Sequence, residues 1–300
     1  MASARAAIAP RAIAIIRAHA PADVELIEVT PEADLSGVDF LVPAAGDRSI
    51  LEVLPGLSRV AVVQVLSAGT DWIAPAVPAQ ATLCSARGAR DAPVSEWVLG
   101  ALLGASSGLL ECARERRWHS RHLDDLAAWK VIVLGMGSIG RMVASRLKAL
   151  GTEVIGVVSH AGDGLHGVEE LPDLLPVADA VVVLTPLTDD TRGLVGAKAL
   201  AAMKDGAVVV NAGRGPVVDT DALVAEVQTG RLRAVLDVTD PEPLPDEHPL
   251  WRAPGVLSIT PHVAGDSPRG HARAAELAGE QLARWCAGKE LVNVVRGPLR

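Results

Sequence analysis

Three segments of the chain carry side chains that could act together on a carbonyl group. "GAVVVNAGRG" (206–215) brings Arg214, "LRAVLDVTDPEPLP" (232–245) brings Asp237, Asp240 and Glu242, and "GVLSITPHVAG" (255–265) brings His262. Hydride addition to a carbonyl makes an alkoxide, so a proton donor is needed. Histidine, with an unperturbed pKa of ~6.5, suits that task. A carboxylate beside it would hold the ring and favour its protonated form. An arginine offers a planar fork of donors that positions a substrate carboxylate or carbonyl and stabilises developing negative charge. Taken singly, each residue has a plainer reading: a solvated arginine, a turn acid, a structural histidine. Three such groups at neighbouring strand ends are better explained by a shared function. The residues alone leave open which acid partners His262.

A second chemical feature is the turn "VIVLGMGSIG" (131–140). Gly135 allows a tight turn, Gly137 lets the backbone approach a pyrophosphate, and Gly140 lets the following helix pack on a sheet. The helix start at Ser138 and Ile139 offers free N–H groups and a positive dipole end to phosphates. About 20 residues on, a dinucleotide pocket usually carries an acid for the adenosine ribose. Here "GTEVIGVVSHAG" (151–162) has Val158-Ser159-His160 instead. With no carboxylate at Val158, a 2′-phosphate meets no local repulsion, and Ser159 and His160 could donate hydrogen bonds to it. No arginine follows at once. The cofactor expected is NADP or NAD, with NADPH favoured.

The elements that must position these groups follow from hydropathy. Apolar, β-branched runs recur at 130–135, 153–158, 179–184, 206–211, 232–238 and 255–260. Such continuous runs mark strands buried on both faces of a parallel sheet. Helical segments with sensible ends lie between them, as at 138–151 and 219–230. The pattern predicts an α/β, doubly wound parallel-sheet domain of six strands. In the order 3-2-1-4-5-6 the fourth to sixth runs lie side by side, and the first three hold the adenosine half. Residues 1–95 read as a smaller α/β domain with runs at 24–29, 38–43, 60–66 and 81–86. "RAIAIIRAHA" (11–20) reads as helical, and no strand is evident before it. A long helix is expected from about Pro93, carrying Gly100, Gly104 and Gly108 at a spacing that permits close helix packing. A last helix, about 270–287, would return to the first domain. The division expected is 1–95 with 266–300 for substrate, and 96–265 for the dinucleotide.

Composition narrows the function classes. The 300 residues are 49% hydrophobic with net charge −8, so a large core is available and nucleic acid or anionic membrane is a poor partner. The basic cluster "RERRWHSRH" (114–122) reads as a solvated helix end. Three scattered cysteines, Cys84, Cys112 and Cys286, fit a reducing, cytoplasmic setting and give no zinc spacing, so no metal is expected. The N-terminus lacks the clean apolar stretch of a secretory signal, and the run at 97–110 is shorter than the ~20 residues a membrane span needs.

Together with "TPLTDDTRGLV" (185–195), "MKDGAVVVNAGRGPVVDTDAL" (203–223), "LDVTDPEPLPDEHPLW" (236–251) and "QVLSAGTDWI" (64–73), these motifs resemble the D-isomer-specific 2-hydroxyacid dehydrogenase family. "DPEPLP" is closest to its glyoxylate/hydroxypyruvate reductase side. The resemblance implies a Rossmann cofactor domain, a flavodoxin-like substrate domain and a homodimer. It implies Arg214, Glu242 and His262 as the catalytic set, which selects Glu242 over Asp240. It gives Asp237 a contact with the nicotinamide carboxamide, and Thr185, Pro186, Ala212, Gly213 and Gly265 places in the cofactor pocket. Substrate would be held by Ser67, Ala68 and Gly69 with Arg214 and His262.

Rival readings fail on residues. Short-chain reductases need a tyrosine, and the chain has none. A formate dehydrogenase would have Gln at the position of Glu242, and a methyltransferase gives no reason for the Arg–Glu–His set. The alternative from another class is a dinucleotide-sensing, corepressor-like protein on the same fold, because fold alone does not fix activity.

Overall fold

The computed structural model describes residues 4–44, 46–115, 118, 120 and 123–298. The chain forms two compact units, one from residues 1–90 with 266–300 and one from 91–265. In chain order the first segment holds β1 (Arg5–Ile8), α1 (Pro10–Arg17), β2 (Glu25–Glu28), β3 (Phe40–Val42), α2 (Ile50–Val53), β4 (Val62–Gln64) and β5 (Thr82–Cys84). The central unit holds α3 (Asp91–Ser106), α4 (Leu109–Glu115), β6 (Lys130–Leu134), α5 (Ser138–Ala149), β7 (Glu153–Val158) and β8 (His166–Gly167). It continues with α6 (Leu171–Leu174), β9 (Ala180–Val183), α7 (Ala197–Ala202), β10 (Val208–Asn211), α8 (Thr220–Thr229), β11 (Arg233–Leu236) and β12 (Val256–Ile259). The chain then returns to the first unit with α9 (Pro268–Cys286) and β13 (Val294–Arg296).

The central sheet has seven strands in the order β12-β11-β10-β9-β6-β7-β8, all paired in parallel. Successive strand residues alternate between two cores, as a sheet covered on both faces requires. Ile132, Leu134, Val181 and Val183 pack with Leu171, Leu200 and Leu223 from α6, α7 and α8. Val131, Val133, Ala180 and Val182 pack with Val98, Leu102, Val143 and Leu147 from α3 and α5. Helix ends follow the local chemistry. Asp219 caps α8 by accepting from Ala222 N, and Gly230 ends it at φ +73°.

The first unit's sheet runs β13-β5-β4-β3-β1-β2, parallel except for β13. Helices α1 and α9 cover one face, where Ala12 and Ile16 meet Ala275, Ala278 and Leu282. Ser267 caps α9 by accepting from Gly270 N at 3.0 Å.

Several expectations need correction. An N-terminal strand does exist, at Arg5–Ile8, just before the helical "RAIAIIRAHA"; its alanines hide it. The central sheet has a seventh strand, because the chain after β7 makes a tight turn through Asp163 and Gly164 and pairs only His166 and Gly167 at the edge. The run at 180–183 therefore lies beside β6 on the side of β10, away from β7, so it does not share the adenosine half. The glycine series does not form one stripe. Gly100 meets nothing within 4 Å, Gly104 is close-packed on Leu110, and Gly108 breaks the helix at φ +65°. The long helix starts at Asp91. Of the basic cluster 114–122, residues 116, 117, 119, 121 and 122 lie outside the described residues. Among those described, no helix is long and apolar enough to cross a membrane, and no group of three potential ligands could hold a metal.

Candidate active site

The glycine turn follows β6 and opens α5. A Cβ on Gly135, at φ +96°, would lie 2.9 Å from the backbone of Leu184 and Thr185, so the turn packs directly on the end of β9. A Cβ on Gly140 would clash with the Gly135 carbonyl oxygen, whereas Gly137 faces open space with nothing within 4 Å. The first helical bond of α5 runs from Arg141 N to Gly137 O at 3.0 Å. That leaves the N–H groups of Ser138, Ile139 and Gly140 outside the helix ladder. The Ser138 hydroxyl donates to Asp91 Oδ1 at 3.2 Å, and Asp91 is buried at the start of α3. Sequence reasoning missed Asp91, since only the packing of α3 on α5 brings it there.

Thr185 Oγ1, at the end of β9, is buried with no hydrogen-bond partner. Open space at Gly137, free amides at a helix start and an orphaned hydroxyl beside the turn all fit a bound dinucleotide. Next to it, Ala212 N donates to Val183 O at 3.2 Å, and Gly213 sits 3.0 Å from the Thr185 carbonyl by its would-be Cβ. Pro186 follows on an exposed stretch, where its carbonyl accepts from Thr191 Oγ1 at 2.7 Å. At the end of β7, Ser159 and His160 are exposed and bonded to each other at 3.2 Å.

Arg214, Glu242 and His262 follow β10, β11 and β12, which are adjacent in the sheet. Asn211, 1% exposed, staples the Arg214 loop by donating to Arg214 O at 3.0 Å and accepting from Gly213 N at 3.1 Å. Arg214 Nη1 donates to Gly213 O at 2.8 Å. A side chain on Gly215 would clash with the Thr239 carbonyl, so the Arg214 and Glu242 loops touch backbone to backbone.

His262 Nδ1 lies 2.7 Å from Glu242 Oε1, with the two side chains 49% and 43% exposed. An ionised carboxylate only accepts, so Nδ1 carries a proton in this pair and Nε2 is the nitrogen left for chemistry. The three acids are thereby separated. Glu242 faces the histidine, Asp240 is exposed, and Asp237 is 3% exposed and turned inward.

Asp237 holds the histidine loop. Its Oδ1 accepts from Thr260 Oγ1 at 2.6 Å and Val263 N at 2.8 Å, and its Oδ2 from Ala264 N at 3.0 Å. Its backbone oxygen accepts from His262 N at 2.8 Å. His262 itself is at φ +55°. The left-handed conformation costs an L-residue about 1–2 kcal/mol, and each buried N–H left unpaired would cost about 1–3 kcal/mol more. Gly265 closes this loop and the central unit.

Ser67, Ala68 and Gly69 belong to the first unit, after β4. Ser67 Oγ donates to Gly69 O at 2.7 Å and accepts from Trp72 Nε1 at 3.4 Å, so its hydroxyl shapes its own loop.

Residues 101–264, more than half of the chain, match the family described as D-isomer specific 2-hydroxyacid dehydrogenase, NAD binding domain. A glyoxylate reductase of Aeropyrum pernix is 38% identical over 54% of this chain and 50% of its own length. A D-3-phosphoglycerate dehydrogenase of Mycobacterium leprae is 31% identical over 92% of this chain and 54% of its own. The chain thus spans about half the length of these two relatives. An NADPH-dependent glyoxylate/hydroxypyruvate reductase of Sinorhizobium meliloti, solved with NADP and sulfate, is 29% identical with a TM-score of 0.84 over 98% of each chain.

Proposed function

The chain belongs to the D-isomer-specific 2-hydroxyacid dehydrogenases, and from that premise we propose that it reduces a small 2-keto acid, such as glyoxylate or hydroxypyruvate, to the D-2-hydroxy acid with NADPH. The observation that carries this reading is the His262–Glu242 pair beside the Arg214 loop. The bound nicotinamide supplies the hydride. His262 gives its Nε2 proton to the carbonyl oxygen as that oxygen becomes a hydroxyl, and Glu242, accepting from Nδ1, holds the ring in that orientation. Arg214 orients the substrate carboxylate or carbonyl and offsets the developing negative charge. Ser67, Ala68 and Gly69 receive the substrate carboxylate through the first unit.

The residues that would hold the cofactor are Gly135, Gly137, Ser138, Ile139 and Gly140 at the pyrophosphate. Thr185, Pro186, Ala212, Gly213, Asp237 and Gly265 would line the remainder of the pocket. NADPH is preferred because Val158 stands where a ribose-binding acid would repel a 2′-phosphate, and exposed Ser159 and His160 can donate to it. The active form is a homodimer. Leu103, Leu109 and Leu123, around α3 and α4, are 44%, 65% and 60% exposed in the single chain.

The test is a substrate panel followed by cofactor oxidation: glyoxylate, hydroxypyruvate, 3-phosphohydroxypyruvate and larger 2-keto acids, each with NADPH and NADH. Turnover of glyoxylate or hydroxypyruvate, at a lower KM for NADPH than for NADH, is expected. Preference for the phosphorylated acid would overturn the substrate, and a much lower KM for NADH the cofactor. Tight cofactor binding without any turnover would point to a dinucleotide sensor.

A further inference from the structure

We infer that Asn211 is a positioning residue for Arg214: its buried carboxamide carries the order of the central sheet past the end of β10 and sets where the guanidinium stands. The consequence for turnover rests on the reduction proposed above.

Asn211 is the last residue of β10 and is held from both sides. It lies opposite Val183 of β9 and Leu236 of β11. Its backbone oxygen accepts from Asp237 N at 2.9 Å, and the next amide, Ala212 N, donates to Val183 O at 3.2 Å. There the ladder ends, and Arg214 must project from a loop. The Asn211 side chain closes that gap. Its Oδ1 accepts from Gly213 N at 3.1 Å and its Nδ2 donates to Arg214 O at 3.0 Å. The carboxamide thus grips the Gly213–Arg214 pair by its first N–H and its last carbonyl. Val217 N also donates to Arg214 O, at 3.2 Å, so both lone pairs of that oxygen are used. Between these anchors Arg214 is extended, at φ −140° and ψ 139°.

The pattern is selective for a carboxamide, because one partner donates and the other accepts. Aspartate would keep the acceptor for Gly213 N but set an oxygen against the Arg214 carbonyl oxygen. Alanine would leave Gly213 N, a buried donor, without a partner. Asn211 is 1% exposed, so bulk water does not replace either bond. Ala212 and Gly213 line the proposed cofactor pocket, so the same staple shapes that wall. The guanidinium is the part of the loop that reaches the substrate, and its placement is where the staple acts on turnover.

The test uses the full chain with Asn211→Ala and the isosteric Asn211→Asp, each also combined with Arg214→Ala. Three quantities are measured: kcat/KM for glyoxylate and hydroxypyruvate at saturating NADPH, the NADPH Kd by fluorescence, and amide exchange at Gly213. A group misplaced by about 1 Å costs roughly 100-fold, so Asn211→Ala should lose about that factor in kcat/KM. Asn211→Asp, which keeps the Gly213 bond, should lose roughly tenfold. The NADPH Kd should rise by no more than about tenfold, the worth of one hydrogen bond, because Ala212 stays tied to Val183. In the Arg214→Ala background either substitution should remove no more than about twofold further, because residues acting as a unit are not additive. Exchange at Gly213 should quicken in Asn211→Ala. Losses that vanish at saturating NADPH would make Asn211 a determinant of cofactor affinity alone and overturn the inference. Losses that multiply in full with Arg214→Ala, wild-type kcat/KM in both variants, or unchanged exchange at Gly213 in Asn211→Ala would overturn it too. If Asn211→Ala does not fold, Asn211→Asp decides by the same kinetic criteria. If the wild type reduces none of the acids, the proposed reaction fails while exchange at Gly213 still judges the staple: faster supports it, unchanged overturns it.

Discussion

At the scale of single residues, the candidate site separates groups that look alike in the sequence. Asp237, Asp240 and Glu242 lie within six positions of one another, yet one is buried under a loop, one is exposed and one meets the imidazole. Loop spacing carries no information about side-chain direction, so the residues alone could not choose among them. The histidine was legible, because few groups can donate a proton near neutral pH and its place after an apolar run was clear. Its partner was selected in the sequence only through the family resemblance, and Glu242 Oε1 lies 2.7 Å from His262 Nδ1. Replacing His262 with alanine should lower kcat by roughly 10²–10⁴-fold, the range typical of a lost general acid. NADPH binding, read by fluorescence titration, should stay close to wild type. Normal turnover in that variant would remove His262 from the mechanism.

At the scale of elements, legibility followed burial. Strands covered on both faces write themselves as continuous apolar runs, and β6, β7, β9, β10, β11 and β12 all lie within the runs expected. The short, alanine-rich β1 and the two-residue β8 leave no such signature, and β8 changed the assignment of strands to the two halves of the sheet. Four-residue glycine spacing was misleading for another reason: Gly108 serves the turn between α3 and α4 and not a helix face. The glycines of the 135–140 turn carry a sharper expectation. Gly140→Ala places a methyl group against the Gly135 carbonyl, a backbone atom that cannot move aside without reshaping the turn. Overpacking of this kind costs about 1–3 kcal/mol. A lowered Tm together with weakened NADPH affinity is expected from thermal scans and titration; a variant that binds NADPH as tightly as wild type would argue against the turn as the pyrophosphate site.

At the scale of the molecule, each of the two units has its own sheet, covered on both faces by its own cores. Exposed leucines gather around α3 and α4, where the proposed dimer would bury them. Leu109→Asp should shift the sedimentation mass from twice to once the 31.1 kDa of the chain. A wild-type chain that sediments at 31.1 kDa would refute the dimer.

The three free thiols differ in a way that makes them chemical reporters. Cys84 is buried, and that burial pushes its pKa up to about 11, so it stays a protonated thiol toward mild alkylating reagents at neutral pH. Cys112 and Cys286 are exposed; partial burial, and then Asp23, raise the Cys286 thiol, so it reacts slowly but remains within reach. Cys112 stands one helical turn from Leu109 on α4, whereas Cys286 ends α9 in the other unit. Covering α4 with a second copy would slow alkylation of Cys112 and leave Cys286 as an internal clock. The native chain can therefore report its own assembly from the ratio of two labelling rates, with no introduced probe.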